Sequence, residues 1–179
     1  IMLIHPQLDP IAFQLGPLKL HWYGLMYLFA FLSFIHLGNK QLKKIWWNDI
    51  NQKILDDSFF YGAIGVILGG RLGYVLFYQP TYYLSNLDQV FAFWQGGMSF
   101  HGGFLGVLIS LIFISRKHNL SWLRLTDFIA TLITLGLGFG RIGNFFNQEL
   151  CGRPTYLHWG IVFPIIDEIS RHPSQLYQA

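Results

Sequence analysis

Long apolar runs separated by short polar ones organise this chain. Four are long enough to cross roughly 30 Å of hydrocarbon at 1.5 Å per residue, spanning about 19–38, 57–78, 97–115 and 127–147. The pattern predicts an all-α integral membrane protein, a polytopic helix bundle with four spans. Residues 148–179, polar and containing Pro154, Pro164 and Pro173, are expected to form an outer loop, and 1–179 to make a single transmembrane domain. Residues 1–18 have no basic stretch followed by an apolar one, so no cleavable leader is expected. The first apolar segment would direct insertion.

The polar breaks give the sidedness. Lys40, Lys43, Lys44 and Lys53 lie between the first two runs, and Arg116, Lys117 and Arg124 between the last two. No Lys or Arg occurs in 79–100. The positive-inside rule therefore places the N-terminus outside and the loops near 45 and 120 in the cytoplasm. Tyr82, Tyr83, Phe91, Phe93 and Trp94 suit the outer stretch to the headgroup zone. Glycines at four-residue intervals (Gly65, Gly69 and Gly73; Gly102 and Gly106; Gly136 and Gly140) predict close helix packing.

Composition agrees with the pattern. Hydrophobic residues make up 53% of the chain and charged residues 12%, about half the usual share in a soluble domain. A net charge of +3 without a basic block gives no reason to expect nucleic acid. The single cysteine, Cys151, excludes an intrachain disulfide or a CxxC metal site. It has no neighbouring His or Lys to activate it and is read as a passenger. No HExxH, Ser-His-Asp or Asp-rich ligand pattern is present.

The polar residues inside the apolar runs carry the candidate chemistry. Arg71 follows Asp57 by 14 positions and Arg141 follows Asp127 by 14, in the tetrapeptides Gly70-Arg71-Leu72-Gly73 and Gly140-Arg141-Ile142-Gly143. Both guanidiniums then lie roughly 21 Å from the inner edge. Tyr23 and His101, each about four residues into a span that starts outside, fall in the same outer layer. Asn144 and Gln148 follow Arg141 at helical spacing. One such arginine reads as a snorkelling side chain or a structural ion pair. Two at equal depth, with His and Tyr beside them, favour a site. Their natural ligand is a lipid phosphate, which matches the guanidinium fork. His101 begins its helix and reads either as a structurally bonded histidine or as a neutral imidazole able to accept a proton.

These residues fall in blocks that resemble a known family. "GRIGNFFNQELCGR" (Gly140–Arg153) resembles the signature of bacterial prolipoprotein diacylglyceryl transferases. "LHWYGLMY" (20–27), "GGRLGYVLFY" (69–78), "GGMSFHGG" (96–103) and "RHPSQLY" (171–177) resemble its other blocks, in order. The resemblance implies an enzyme of the bacterial inner, cytoplasmic membrane with its site facing the outer leaflet. It would move the diacylglyceryl group of phosphatidylglycerol to the lipobox cysteine thiol of a prolipoprotein, releasing glycerol phosphate. No cofactor or metal is implied. Its important residues would fall on Tyr23, His101, Arg141, Asn144, Glu149 and Gly152. Together with the residues read above, Tyr23, His101, Arg141, Asn144 and Glu149 are the catalytic candidates, and Arg141, Arg71, Asn144, Gly152 and Tyr177 the substrate-binding ones. Family members run on past the last block through further spans, so a fragment is expected here. A transporter or a non-catalytic lipid-binding protein is the rival. The first would spread ionisable groups through the membrane, and the second has no use for His101 and Tyr23.

Overall fold

A computed structural model describes residues 3–16, 18–92 and 96–179. The chain is mostly helical, and three helices are long and apolar enough to cross a membrane: α2 (Gln52–Phe77), α4 (Phe100–Lys117) and α5 (Trp122–Phe146). Their outward faces carry exposed Ile64, Ile67, Leu68, Ile109, Leu135 and Leu137, as lipid contact requires and water would penalise. These features support a membrane location. The helix matching the first expected span, α1 (Trp22–Gln41), is 20 residues long but ends in the polar run Gly38–Gln41 and is not among the three.

The boundaries differ from the apolar runs for local reasons. The first helix was expected to begin near 19, but Leu18–His21 forms strand β3 in an antiparallel hairpin with β2 (Ile11–Leu15). The alternation of Leu18, Lys19, Leu20 and His21 has the strand period, not the helical one. Helix α2 begins at 52 rather than 57 because the Asn51 side chain accepts the Ile54 N–H at 3.1 Å. Helix α4 begins at 100 rather than 97, where Ser99 accepts the Gly102 N–H at 3.2 Å.

Two compact units arise, and α1 and α5 are each divided between them. The second unit, Gly38–Ala130, is built on α2 against α4. The expected glycine packing is present there. A Cβ on Gly106 would lie 2.0 Å from the Gly65 carbonyl oxygen, and one on Gly69 would lie 2.4 Å from that of Gly102. Near the start of α2, the Asp57 carboxylate takes Lys117 Nζ at 2.8 Å and His118 Nε2 at 2.7 Å. Beyond α2 the chain folds back through α3 (Pro80–Ser85) and a 3-10 turn at Leu87–Phe91. Within this expected interfacial stretch Tyr82 and Phe91 are exposed but Tyr83 is buried. Phe93 and Trp94 lie outside the described residues.

The first unit comprises the chain up to Leu37 with Thr131–Ala179. Here the expected glycine pair behaves differently. A Cβ on Gly136 would make only an ordinary 3.5 Å contact with Ala30 Cβ, and one on Gly140 would meet open space. The tight glycine is Gly143, where a Cβ would come within 2.8 Å of the Tyr23 ring. Trp22 stacks on Phe146 at 5.0 Å. Residues 148–179, expected as a loop, contain structure of their own. Strand β1 (Leu3–Ile4) pairs in parallel with β4 (Ile161–Val162), which pairs with β5 (Ser170–Arg171), before the short helix α6 (Ser174–Gln178). An Asp167–Arg171 ion pair holds the Asp167 carboxyl below its usual range.

Candidate active site at the end of helix α5

The site follows from how α5 stops. Gln148 takes φ +56°, and the Gln148 N–H reaches the Phe145 carbonyl at 3.0 Å while the Glu149 N–H reaches that of Asn144 at 2.9 Å. This is a Schellman ending with glutamine where glycine is usual, and it costs about 1 kcal/mol in the left-handed region. Leu150 also takes φ +56°, so Glu149 is flanked by two strained residues. A carboxylate at a helix C-terminus is disfavoured by the helix dipole. Two amides offset that, with Asn144 Nδ2 donating to one Glu149 oxygen at 3.2 Å and Asn147 Nδ2 to the other at 3.1 Å.

Tyr23 completes the cluster from α1. Its ring lies against Gly143, and its phenol is 3.5 Å from that of Tyr27. The Glu149 carboxylate is close enough to act on the phenol electrostatically. Asn144, buried and next to the Gly143 that the Tyr23 ring meets, donates to Glu149. Arg141 stands three residues before Asn144, half-buried, with no hydrogen bond or ion pair among the described residues. It is a cation whose donors remain available.

The other expected residues are placed as follows. Gly152 packs against His172, just past β5, where a Cβ would lie 2.8 Å from the His172 carbonyl oxygen. Tyr177 is exposed; its hydroxyl accepts from Trp159 Nε1 at 2.9 Å and lies 3.1 Å from His172 Nδ1. Cys151 is half-buried between Gln175 Nε2 at 3.2 Å and the Gln148 carbonyl at 3.6 Å, and burial pushes its thiol up. All these lie in the first unit.

His101 and Arg71 belong to the second unit. His101 is exposed in the first turn of α4, edge-on to Phe100. Arg71 is 2% exposed, and its guanidinium is bound by its own chain. Nε donates to the Val90 carbonyl at 2.8 Å and Nη2 to that of Gln89 at 2.7 Å, while Nη1 serves those of Gly96 and Gly97. The Tyr83 ring faces it at 5.2 Å. Gly96 and Gly97 take φ +77° and +78°, which turns their carbonyls onto the cation, and a Cβ on Gly97 would strike the Tyr74 ring.

The sequence reading did not single out Tyr27 or Asn147 as partners in the site. The sequence signals for Tyr27 are its i+4 spacing from Tyr23 and its place at the end of the 20–27 block. A cavity of about 400 Å³, lined by Pro154, Tyr156, His158, Glu168 and Ile169 among others, contains none of the expected residues. The helix-end cluster, not that cavity, carries the convergent polar groups.

The chain is similar to known proteins over nearly its whole length. The sequence model of prolipoprotein diacylglyceryl transferase matches residues 10–179. A phosphatidylglycerol–prolipoprotein diacylglyceryl transferase of Nitrosomonas europaea is 58% identical over 177 residues, covering 99% of this chain and 64% of that protein. The one of Nitrosospira multiformis is 59% identical over 177 residues, covering 99% and 61%. The one of Methylobacillus flagellatus is 53% identical over 180 residues, covering 99% and 69%. The chain thus spans less than two thirds of the length of the first two relatives.

Proposed function

The chain belongs to the prolipoprotein diacylglyceryl transferase family, and from that premise we propose that the protein it forms carries out the reaction its relatives are named for. The diacylglyceryl group of phosphatidylglycerol passes to the lipobox cysteine thiol of a prolipoprotein. The thiol loses its proton, sulfur bonds to the glycerol carbon, the carbon–oxygen bond to phosphate breaks, and glycerol phosphate leaves with the electron pair. The observation that carries the reading is the half-buried guanidinium of Arg141, without a hydrogen-bond partner among the described residues, one turn from the Asn144–Glu149 pair and Tyr23.

In this reading Arg141 holds the lipid phosphate and stabilises the charge that grows on it as the bond breaks, more strongly in the transition state than before it. A substrate thiol with an ordinary pKa near 8.5 needs a proton acceptor. The His101 imidazole takes that role. Asn144 and Glu149 orient Tyr23, Tyr177 borders the site, and Gly152 contributes close packing instead of a substrate contact. Arg71 holds the backbone of Gln89, Val90, Gly96 and Gly97, because a phosphate would have to displace the carbonyls already on its donors. We further place α1 in the membrane as a fourth span, the N-terminus outside, the loops near 45 and 120 in the cytoplasm, and the site at the outer leaflet of the inner membrane. The lysine and arginine distribution supports that orientation.

The test is transfer by the full-length protein from labelled phosphatidylglycerol to a lipobox peptide, read as a thioether product. Absence of product, with glycerol phosphate also unreleased, would overturn the enzymatic reading.

A further inference from the structure

The strained turn that presents Glu149 is held from behind by the Ser174–Gln175 step at the start of α6. Gln175 is 1% exposed, and its Nε2 donates to the Glu149 carbonyl at 2.6 Å. Ser174 Oγ donates to the Leu150 carbonyl at 2.8 Å. These two carbonyls belong to the residue that carries the carboxylate and to the left-handed residue after it. Further contacts fix the same short stretch, since the Gln148 side-chain oxygen accepts the Ile165 N–H at 3.4 Å and the Gly152 N–H reaches the His172 carbonyl at 2.9 Å. A turn of non-glycine residues at positive φ persists only where its surroundings over-determine it. The two side-chain donors of 174–175 are that over-determination for Glu149.

We propose that Ser174 and Gln175 are positioning residues of the site, a two-point backbone clamp that fixes the Glu149 carboxylate under the Asn144 and Asn147 amides and so sets the Tyr23 phenol. The proposal rests on the reading of Glu149 as part of the active site. It gives the Ser-Gln pair of "RHPSQLY" a role without substrate contact. A side chain that holds its partner's backbone controls orientation, and misplacing a reacting group by about 1 Å costs on the order of a hundredfold in rate. Binding of the lipid phosphate, assigned to Arg141, does not pass through the clamp.

The clamp therefore predicts a loss in kcat with little change in KM. In the full-length protein in phosphatidylglycerol vesicles, Gln175→Glu keeps the shape but replaces the donor with an acceptor. It should lower kcat about a hundredfold, with KM for phosphatidylglycerol within about twofold. Combined with Glu149→Gln it should lower kcat no further than Glu149→Gln alone, because both act through one carboxylate. Ser174→Ala should lose about tenfold in kcat, and Ser174→Thr, which keeps the hydroxyl, should restore it. Equal kcat for Gln175→Glu and the unaltered protein, or losses that multiply in the double variant, would overturn the clamp. If Gln175→Glu does not accumulate as folded protein, the Ser174 pair decides alone, and an unchanged kcat in Ser174→Ala overturns it. Full activity of Glu149→Gln would instead remove the underlying reading of Glu149, a result distinguishable from failure of the clamp.

Discussion

Arg71 and Arg141 sit in matching Gly-Arg-x-Gly tetrapeptides, each 14 residues after an aspartate, yet their surroundings give them opposite properties. Around Arg71 the chain returns through α3 and the Leu87–Phe91 turn and spends backbone carbonyls on every guanidinium nitrogen. Around Arg141 nothing among the described residues takes a donor, and the neighbouring polar groups bond to one another instead. A buried arginine is tolerated only when its charge and N–H groups are answered. In the second unit the fold answers them. In the first unit half-buried Arg141 keeps its donors for the lipid phosphate that we propose it holds.

The largest effect that sharpens the contrast is on catalysis. Arg141→Ala should lower kcat/KM for phosphatidylglycerol about a thousandfold, comparable to losing an oxyanion donor, while the melting temperature stays within about 2 °C. Steady-state transfer assays and thermal unfolding in detergent together check this. A large drop in melting temperature would make Arg141 as structural as Arg71.

Arg71→Ala should do the reverse. It strands the carbonyls of Gln89, Val90 and Gly96, and should cost about 3 kcal/mol of stability, lowering the melting temperature by several degrees. The variant that remains folded should keep a near-normal KM. Normal stability with weakened lipid binding would return Arg71 to the substrate-binding set.

Gly143→Ala tests the Tyr23 side of the site. The added methyl meets the Tyr23 ring and should displace it, costing about 1–3 kcal/mol and reducing kcat more than Gly140→Ala, where there is open space. Equal effects at the two glycines would mean that Tyr23 does not depend on this packing.

A smaller effect concerns pH and should be confined to the first unit. His5 is buried against Phe145 and Phe163, with neither ring nitrogen well hydrogen-bonded. Burial, outweighing the backbone of Phe145 and Pro6, lowers its pKa from 6.5. The unfolded chain therefore takes the proton first as pH falls. The stability of the neutral form is complete above pH 6.5 and declines as pH drops through it toward the lowered value. Hydrogen exchange at pH 7 and pH 5 should show loss of protection in β1 and β4 but not in α2 or α4, and His5→Leu should remove the difference. The smallest effect is that of Cys151→Ala, which should change activity less than about twofold, since its thiol is half-buried and already shifted away from reactivity.

Much of the helical framework could be read from the sequence because lipid imposes a strong rule, that long apolar runs must satisfy their backbone internally. The runs near 57–78, 97–115 and 127–147 became α2, α4 and α5, with ends moved by Asn51 and Ser99, whose capping chemistry was readable but outweighed by the hydropathy pattern. The β2–β3 hairpin was hidden because its apolar strand runs directly into an apolar helix. Asn144 and Glu149 were visible as a polar crowd, but their mutual contact depends on Gln148 adopting a left-handed conformation that its residue type does not favour.

The glycine spacing shows the same division. It correctly marked the close contact between α2 and α4, where facing stripes leave only backbone between them. It failed for Gly140, because a small residue permits an approach without supplying a partner. By itself, the sequence determined where the apolar segments lie, which loops carry positive charge, and which residues occupy the family's blocks. Those are properties of local composition and order. Tertiary structure alone decided that Arg71 is bound by backbone carbonyls while Arg141 has no partner among the described residues, that Gly143 rather than Gly140 seats Tyr23, and that residues 174–175 hold the turn bearing Glu149. Each depends on which distant groups reach a given atom, and a one-dimensional pattern does not encode that.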